Sequence, residues 1–470
     1  MGEDILAIDV GTSRFKMAVY GPDFEQRCQV VVPYDVNVYN RVYADIEPEK
    51  WWQAFRRACA EAAPYLSGVG VISLSVTTPG LTPMAADGTA LGPAILFFDG
   101  RSHSQARAIR QRVGVEAFLR DACNLPVSGG SSLCSILWIR DVQPDTFAAT
   151  RMFGHTNTYL VKRLTGEWAI DPSTASITGL YNTARHDLTW NQEVLAAARL
   201  PESVLPPLRE SHAVAGAIRP EVARELGLPA DCVVLTGGND AVLAALSGGV
   251  TEPGQISLVT GTVEITSVCV DQPVASAEFN IRCHVVPGRW LTFFILNAGG
   301  KSFEWFKSVF CSEMTDEQFY NEYAPGVVGR FLAGAGVDEA ESHLPDYGPF
   351  LGGSRYSLEQ ETGHFSKLDL ETTRDEMLLA LVRGNARYSG SHLLEVGKVV
   401  PLGTRVMVSG TGAGGKEFIA ARRRWFGDYE FVYQEQSALL GAATLGRFHA
   451  TGAYPVRRPG EPAARAEANR

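Results

Sequence analysis

Two stretches of the 470-residue chain, residues 5–20 and 256–270, share one pattern that constrains the fold more than any other feature. Each reads as an apolar strand, a short polar turn and a second apolar strand, and the later turn contains Gly261 and Thr262. β-branched and aliphatic residues on both sides of a turn that can bend are typical of a β-hairpin. The sequence therefore predicts two hairpins, one opening each half of the chain.

The turn of the first hairpin carries groups that can bind an anion and its counter-cation. Asp9 ends the first strand, and Gly11, Thr12 and Ser13 follow with backbone N–H groups and hydroxyls. Such a turn suits a phosphate, and the neighbouring carboxylate suits Mg²⁺. Taken alone, the turn is better explained as ordinary hairpin chemistry. The second copy in residues 256–270 shifts the interpretation towards a nucleotide held between two related domains.

Length and composition limit the class of protein. A chain of 470 residues is too long to fold around a single hydrophobic core. At roughly 150 residues per domain, two large domains fit this length best. The net charge of −10 and the pI near 5.5 argue against nucleic acid or an anionic membrane as the main partner. The eight cysteines lack CxxC spacing, which is typical of reduced thiols. With no apolar leader or membrane-length run, the sequence predicts a cytoplasmic protein that binds small molecules.

The order of elements in the first half indicates layered α/β structure. Residues 29–32 and 69–76 have strand composition, and between them residues 47–55 read as a helix start with Pro and acidic residues in the first turn. Trp51 and Trp52 are interpreted as core residues of this helix. A strand–helix–strand order places functional loops at strand ends.

Three further segments have local signals of helices. Residues 158–167 have helical periodicity with Gly166 near the end. Residues 171–176 are typical of a loop and helix N-cap, which begins at Asp171. Residues 375–396 predict a long helix that Gly384 interrupts.

Two polar loops follow apolar strands in this half and are candidates for substrate contact. One contains Thr78, Pro79 and Gly80, and the other contains Asp99 and Arg101. A carboxylate can accept from paired sugar hydroxyls, and a guanidinium can donate to oxygens or phosphate. A structural ion pair at a strand end explains Asp-x-Arg at least as well.

Residues 233–246 hold the sharpest catalytic candidate. A β-branched strand enters a Gly-Gly turn, and Asn239 and Asp240 then precede an apolar helix. A carboxylate at a helix N-terminus is stabilised by the exposed N–H groups, so Asp240 reads from this window alone as a helix N-cap.

Small residues in the second half could let backbone approach a nucleotide. Gly299 and Gly300 lie between an apolar strand and an aromatic helix. The segment from Gly410 to Lys416 satisfies GxGxxG and nearly satisfies GxxxxGK[ST]. A dinucleotide fingerprint belongs on the first strand of its unit, and a P-loop needs Ser or Thr where Glu417 stands, so neither motif is convincing.

These landmarks, in this order, resemble the FGGY carbohydrate kinases of the actin/hexokinase/Hsp70 superfamily. Residues 158–167, 349–356 and 434–443 are similar to further family elements. The resemblance implies an α/β fold of two actin-like (ribonuclease H-like) domains with a nucleotide cleft between them. It implies that residues 1–248 bind sugar and carry the catalytic base, that residues 249–450 bind ATP, and that residues 451–470 form a mobile tail.

The resemblance also implies roles for individual residues. Asp240 is the expected general base, and Asp9 is the expected anchor of Mg²⁺. The expected sugar contacts are Thr78, Pro79, Gly80, Asp99, Arg101 and Asn239. The expected ATP contacts are Gly11, Thr12, Ser13, Gly261, Thr262, Gly299, Gly300, Gly410, Thr411, Gly412 and Lys416.

Three positions depart from the family pattern. Xylulokinases carry Met-His-Gly where this chain has Thr78-Pro79-Gly80, an amide residue is common where Ala241 stands, and Ser354 replaces an acid. A ketopentose such as D-xylulose is the default acceptor, and other sugars, polyols and sugar acids stay open. A catalytically weakened sugar-binding or regulatory protein is the alternative. A homodimer is compatible with these observations, and no nucleic-acid or membrane partner is expected.

Overall fold

The computed structural model describes residues 3–40, 43–359, 361–410, 415–434 and 437–454. The chain divides into two compact units. Unit 1 comprises Met1–Thr251, Asp271–Leu291 and Gln436–Arg470, and unit 2 comprises Glu252–Val270 and Thr292–Glu435. The predicted division after residue 248 stays a prediction, and the predicted tail lies almost wholly outside the described residues.

Strands are numbered along the chain as follows: β1 Asp4–Val10, β2 Arg14–Tyr20, β3 Gln26–Pro33, β4 Asn37–Tyr39, β5 Tyr43–Ile46, β6 Val69–Val76, β7 Gly80–Met84, β8 Ala94–Leu96, β9 Met152–Gly154, β10 Val214–Ala217, β11 Val233–Leu235, β12 Gly238–Asn239, β13 Ile256–Thr260, β14 Glu264–Val270, β15 Asn280–Cys283, β16 Trp290–Leu296, β17 Asp346–Gly348, β18 His364–Ser366, β19 Arg405–Gly410 and β20 Glu430–Gln434.

Helices are numbered in the same way: α1 Glu49–Glu61, α2 His103–Val113, α3 Val115–Ala117, α4 Ser132–Val142, α5 Pro144–Ala149, α6 Thr156–Thr165, α7 Pro172–Ala175, α8 Gln192–Ala198, α9 Pro220–Leu226, α10 Asp240–Ser247, α11 Gly299–Phe310, α12 Ala324–Ala333, α13 Val337–His343, α14 Arg374–Val396, α15 Lys416–Trp425 and α16 Ser437–Thr451.

The main sheet of unit 1 is built around the first predicted hairpin. Its strand order is β10-β11-β6-β1-β2-β3, and β12 also pairs with β6. β1 and β2 are antiparallel, whereas β1, β11 and β12 each run parallel to β6. Every residue of β1 and of β6 is buried, as expected for strands covered on both faces. A smaller sheet of unit 1 has the order β4-β5-β8-β7-β9.

Unit 2 repeats this arrangement around the second predicted hairpin. β13 pairs antiparallel with β14 and parallel with β19, and β19 continues parallel to β20. In both units a hairpin therefore has a parallel strand beside its first member. This repeat confirms the pair of hairpins predicted from the sequence.

Most local predictions are confirmed, with one correction. Trp51 and Trp52 lie in α1 and are each 3% exposed, and α6 ends at Gly166 in the left-handed conformation. Gly384 was expected to interrupt the long helix of unit 2, and this was wrong because it lies inside the continuous α14. The eight cysteines are thiols. Among the described residues, none of the helices combines the length and the apolarity needed to cross a membrane.

Gly410 ends β19 where a side chain cannot be accommodated. Its φ is +103°, and a Cβ there would lie 1.7 Å from the carbonyl oxygen of Thr260 on the paired strand. We expect Gly410→Ala to lower the free energy of unfolding by at least about 2 kcal/mol. The alanine would be strained at this positive φ, and its Cβ would overlap the Thr260 carbonyl oxygen. Denaturant unfolding measures this change.

Gly326→Ala is the matched control in the same unit. Gly326 lies in α12, and a Cβ there would meet only the flexible end of Arg330 at 3.3 Å. Its stability should change by less than about 1 kcal/mol, since alanine favours a helix. Equal effects of the two substitutions would contradict the packing assigned to Gly410.

Candidate active site

Asp240 lies where three parallel-aligned strands of unit 1 end together. β12 pairs with the end of β6, with Gly238 opposite Ser75, and Ser75 is also opposite Asp9 of β1. The carboxyl ends of adjacent parallel strands form the usual site of an α/β sheet. Asp9 and Asp240 are thus brought to one edge, and their roles as metal anchor and base stay predictions.

Asn239, and not Asp240, is the N-cap of α10. Its side-chain oxygen accepts from the backbone N–H of Val242 at 3.2 Å. Asp240 is the first residue of the helix, so the interpretation of Asp240 as a cap was wrong. Because the cap is supplied by its neighbour, the carboxylate of Asp240 is available for other contacts.

Three donors hold the carboxylate of Asp240. Thr77 Oγ1 donates to Oδ2 at 2.8 Å, and Oδ1 accepts from the backbone N–H of Ala241 at 2.8 Å and from Asn239 Nδ2 at 3.0 Å. Burial, and secondly the charge of Asp9, raise the pKa of Asp240 to about 6, while Thr77, Ala241 and Arg282 act in the opposite direction. A carboxyl with this pKa is suited to act as a base near neutral pH.

The residue before Pro79 connects this carboxylate to an arginine that sequence reasoning missed. Asn239 Nδ2 donates to Thr78 Oγ1 at 2.9 Å, and Arg282 Nη1 donates to the same oxygen at 3.3 Å. Arg282 lies on β15 and is 3% exposed. The one available signal was a charged residue inside the otherwise apolar Ile281–Cys283 stretch, which is unusual for a buried strand.

A second acidic residue, Asp171, is linked to the Asn239 loop through Ser173. Asp171 caps α7, as predicted, by accepting from the backbone N–H groups of Ser173 and Thr174. Ser173 Oγ donates to the Asp171 carboxylate and accepts from the backbone N–H of Asn239 at 2.9 Å. Sequence reasoning identified this cap, but it did not identify the link to the loop that carries Asn239.

The Thr78-Pro79-Gly80 segment is buried beside a histidine from another element. The Gly80 N–H donates to His155 Nδ1 at 3.4 Å, and His155 Nε2 shares a hydrogen bond with Ser132 Oγ at 3.1 Å. Burial, with a smaller effect of Arg282, lowers the pKa of His155 to about 3, so the ring is neutral. Both ring nitrogens make hydrogen bonds within the protein, so His155 helps to hold the Thr78-Pro79-Gly80 segment in place.

Asp99 and Arg101 form a buried ion-pair network. Arg101 donates to Asp99 Oδ2 and to Asp45 Oδ2, both at 2.8 Å, and its guanidinium carbon lies 4.4 Å from the centre of the Tyr43 ring. Asp99 also accepts from the backbone N–H groups of Ala44 and Arg101. These contacts match the structural alternative left open by the sequence, and a contact of either residue with sugar stays a prediction.

Asp9 has the chemistry expected of a cation anchor. Its Oδ2 accepts from Lys16 Nζ at 3.1 Å and its Oδ1 from Ser75 Oγ at 3.0 Å, which leaves lone pairs on both oxygens. Beside it, Thr12 is partly exposed and Ser13 is exposed. The described residues contain no cluster of three or more acidic, His or Cys ligands. Asp9 therefore fits a cation such as Mg²⁺ that takes one or two carboxylates and completes its shell with phosphate and water.

Unit 2 brings together five of the eleven residues predicted to bind ATP. Gly300 N–H donates to the Gly261 carbonyl at 2.8 Å, and a Cβ on Gly300 would lie 2.5 Å from that oxygen. Gly299 and Gly300 therefore serve close packing of α11 on the Gly261–Thr262 turn. Gly410 pairs with Thr260, which places it at the base of the same turn. Lys416 opens α15 with its side chain 92% exposed, and Thr411 and Gly412 lie outside the described residues.

Comparison with known proteins shows the family and the fold of the chain. The family model described as the FGGY family of carbohydrate kinases, N-terminal domain, matches residues 5–247. Xylulose kinase of Staphylococcus xylosus is 25% identical over 453 residues, which cover 94% of this chain and 90% of that protein. Xylulose kinase of Escherichia coli K12 is 27% identical over 304 residues, 64% of this chain and 62% of that protein.

A solved structure, gluconate kinase from Lactobacillus acidophilus, superposes with a TM-score of 0.86 at 21% identity and covers 97% of this chain and 91% of that one. This likeness confirms the predicted fold class of two actin-like α/β domains. Because the family model matches more than half of the residues, the chain belongs to the FGGY family of carbohydrate kinases.

The neighbours of Asp240 should move its pKa in opposite directions. Thr77→Val removes a hydrogen bond to the ionised carboxylate and should raise the pKa, whereas Asp9→Asn removes a like charge and should lower it. Titration of the Asp240 carboxyl carbon by NMR, assigned with Asp240→Asn, measures both changes. Shifts of the same sign in the two variants would contradict the arrangement described here.

Proposed function

We propose that the protein transfers the γ-phosphoryl group of ATP to a hydroxyl of a small carbohydrate, with a ketopentose such as D-xylulose as the reference acceptor. The observation that supports this most is Asp240, whose carboxylate is held by three donors at the strand ends of unit 1. Family membership implies ATP as the donor. The relatives named xylulose kinase favour the ketopentose.

Asp240 acts as the general base in this proposal. With a pKa of about 6, roughly nine molecules in ten carry the ionised carboxylate at pH 7. The base removes the proton of the attacking hydroxyl, and Thr77 and the Ala241 N–H keep the carboxylate in one orientation while it does so. Phosphoryl transfer otherwise depends on positioning and on stabilisation of charge.

The two Gly-Thr turns are assigned to the phosphates of ATP. Backbone N–H groups and hydroxyls of the Gly11–Ser13 turn, and the exposed Thr262 with Gly261 in unit 2, are suited to phosphate oxygens. The segment from Gly410 to Lys416 is assigned to adenosine. Mg²⁺, which Asp9 would hold, neutralises charge on phosphate oxygens when it is bound.

The departures from the xylulokinase pattern bear on the acceptor and not on the base. Pro79 is buried, and the methyl side chain of Ala241 is 5% exposed and cannot donate a hydrogen bond. A sugar hydroxyl left unpaired in such a site costs about 1 to 3 kcal/mol. Other sugars, polyols and sugar acids are therefore candidate acceptors, and ADP release against a panel of these compounds tests the proposed function.

Asp240→Asn tests the base directly. The amide keeps the size of the side chain but cannot accept a proton, so we expect kcat to fall roughly 10²- to 10⁴-fold with little change in acceptor affinity. Asp145→Asn is the control, because Asp145 also lies in the first turn of a helix but is exposed. A near-normal kcat for Asp240→Asn would remove this residue from the mechanism.

Asp9→Ala tests the cation anchor. Activity should be lost and should recover only in part at high Mg²⁺, because a carboxylate that holds the cation is gone. Asp4→Ala is the control: Asp4 lies at the other end of β1 and pairs with Arg27, so its loss should reduce stability without changing the Mg²⁺ dependence. If both variants showed the same Mg²⁺ dependence, Asp9 would be a structural residue only.

A further inference from the structure

Arg282 is a buried positive charge beside the proposed acceptor site, and the mechanism above does not use it. Its guanidinium donates to Thr78 Oγ1, the oxygen that also accepts from Asn239 Nδ2. Asn239 Nδ2 in turn donates to the catalytic carboxylate. Arg282 is therefore linked to Asp240 through two polar side chains that both belong to the predicted sugar site.

The backbone of Arg282 is held on both sides by side chains of unit 1. Asn124 exchanges two hydrogen bonds with the backbone of Ile281, at 2.9 Å and 2.8 Å, and Ser176 Oγ accepts from the Cys283 N–H at 3.0 Å. Ile281 and Cys283 are fully buried, and strand alternation directs Arg282 to the opposite face. The guanidinium is thus placed at Thr78 before any ligand binds.

The charge of Arg282 changes what the site can accept. Asp9 and Asp240 are close enough for the charge of Asp9 to raise the pKa of Asp240, so this edge of the sheet disfavours an anionic acceptor. A guanidinium offsets this repulsion and offers a planar fork that matches a carboxylate. A neutral sugar needs hydrogen-bond donors, which amides supply without the desolvation cost of burying a charge.

Building on the proposed function, we propose that Arg282 binds a carboxylate of the acceptor, so that the preferred substrates are polyhydroxy acids of the aldonate class. The acid group lies at Arg282 and Thr78, and a hydroxyl of the same molecule faces Asp240. In the opposing explanation, Arg282 only balances the charge of the two aspartates. That explanation gives no preference between an acid and the corresponding alcohol.

The test uses pairs of acceptors that differ only at one end. D-gluconate and D-glucitol share their hydroxyl chain, and the first ends in a carboxylate where the second ends in CH₂OH. For the wild-type protein, kcat/KM from ADP release should be at least about tenfold higher for gluconate, as expected for a charge-assisted hydrogen bond. D-xylonate and D-xylitol form a second pair with a shorter chain.

Variants of Arg282 show whether the preference depends on this side chain. Arg282→Met should lower kcat/KM roughly 10- to 100-fold more for the acid than for the alcohol. Arg282→Lys should restore part of the preference, because it keeps the charge but loses the fork. Arg185→Met, which removes an exposed arginine of unit 1, is the control and should leave both acceptors unchanged.

Calorimetry of gluconate and glucitol without ATP separates this inference from the proposed function. Gluconate binding that weakens in Arg282→Met supports the carboxylate site even if no phosphoryl transfer is observed. Equal activity and equal affinity of the wild-type protein for acid and alcohol would overturn the inference while leaving the kinase intact. Equal losses for both members of a pair in Arg282→Met would also overturn it.

Discussion

Parallel pairing along β6 is the constraint on which the site depends. Ser75 lies opposite Asp9 on one neighbouring strand and opposite Gly238 on the other, so three strands end at one level. This register brings Asp9, Thr77 and Asp240 to a single edge although they are far apart in the chain. A shift of one residue in the pairing of β1 with β6 would turn Asp9 to the other face of the sheet.

The buried charged side chains of unit 1 have two kinds of partner, either opposite charges or neutral polar groups. Asp99, Arg101 and Asp45 satisfy each other through internal hydrogen bonds, which is how buried ions are normally retained. Asp240 and Arg282 are instead linked through the neutral side chains of Thr78 and Asn239. Burial and the charge of Asp9 raise the pKa of Asp240, and the charge of Arg282 acts in the opposite direction.

The sequence predicted local structure well because the signals were local. The Gly-Thr turns between apolar runs predicted both hairpins, and Gly166 predicted the end of α6. Gly384 misled the interpretation, since the packing of α14 outweighs the low helix propensity of one glycine. The glycines at residues 299–300 indicated a close approach of the backbone to another group. They did not show that this group is the Gly261 turn, because that contact depends on tertiary packing.

Asp9 and Asp240 could be singled out from the sequence because each follows a recognisable strand and precedes a turn or a helix, and the family resemblance supplied their predicted roles. Thr77, Ser173 and Arg282 could not, because their importance comes from contacts between elements at least 66 residues apart in the chain, such as Thr77 with Asp240 and Arg282 with Thr78. The sequence by itself determined the family and the two hairpins, and its family resemblance predicted Asp240 as the base. Only the tertiary structure decided which residues hold that base and which charge faces it, since strand register and side-chain burial are set by packing of the whole unit.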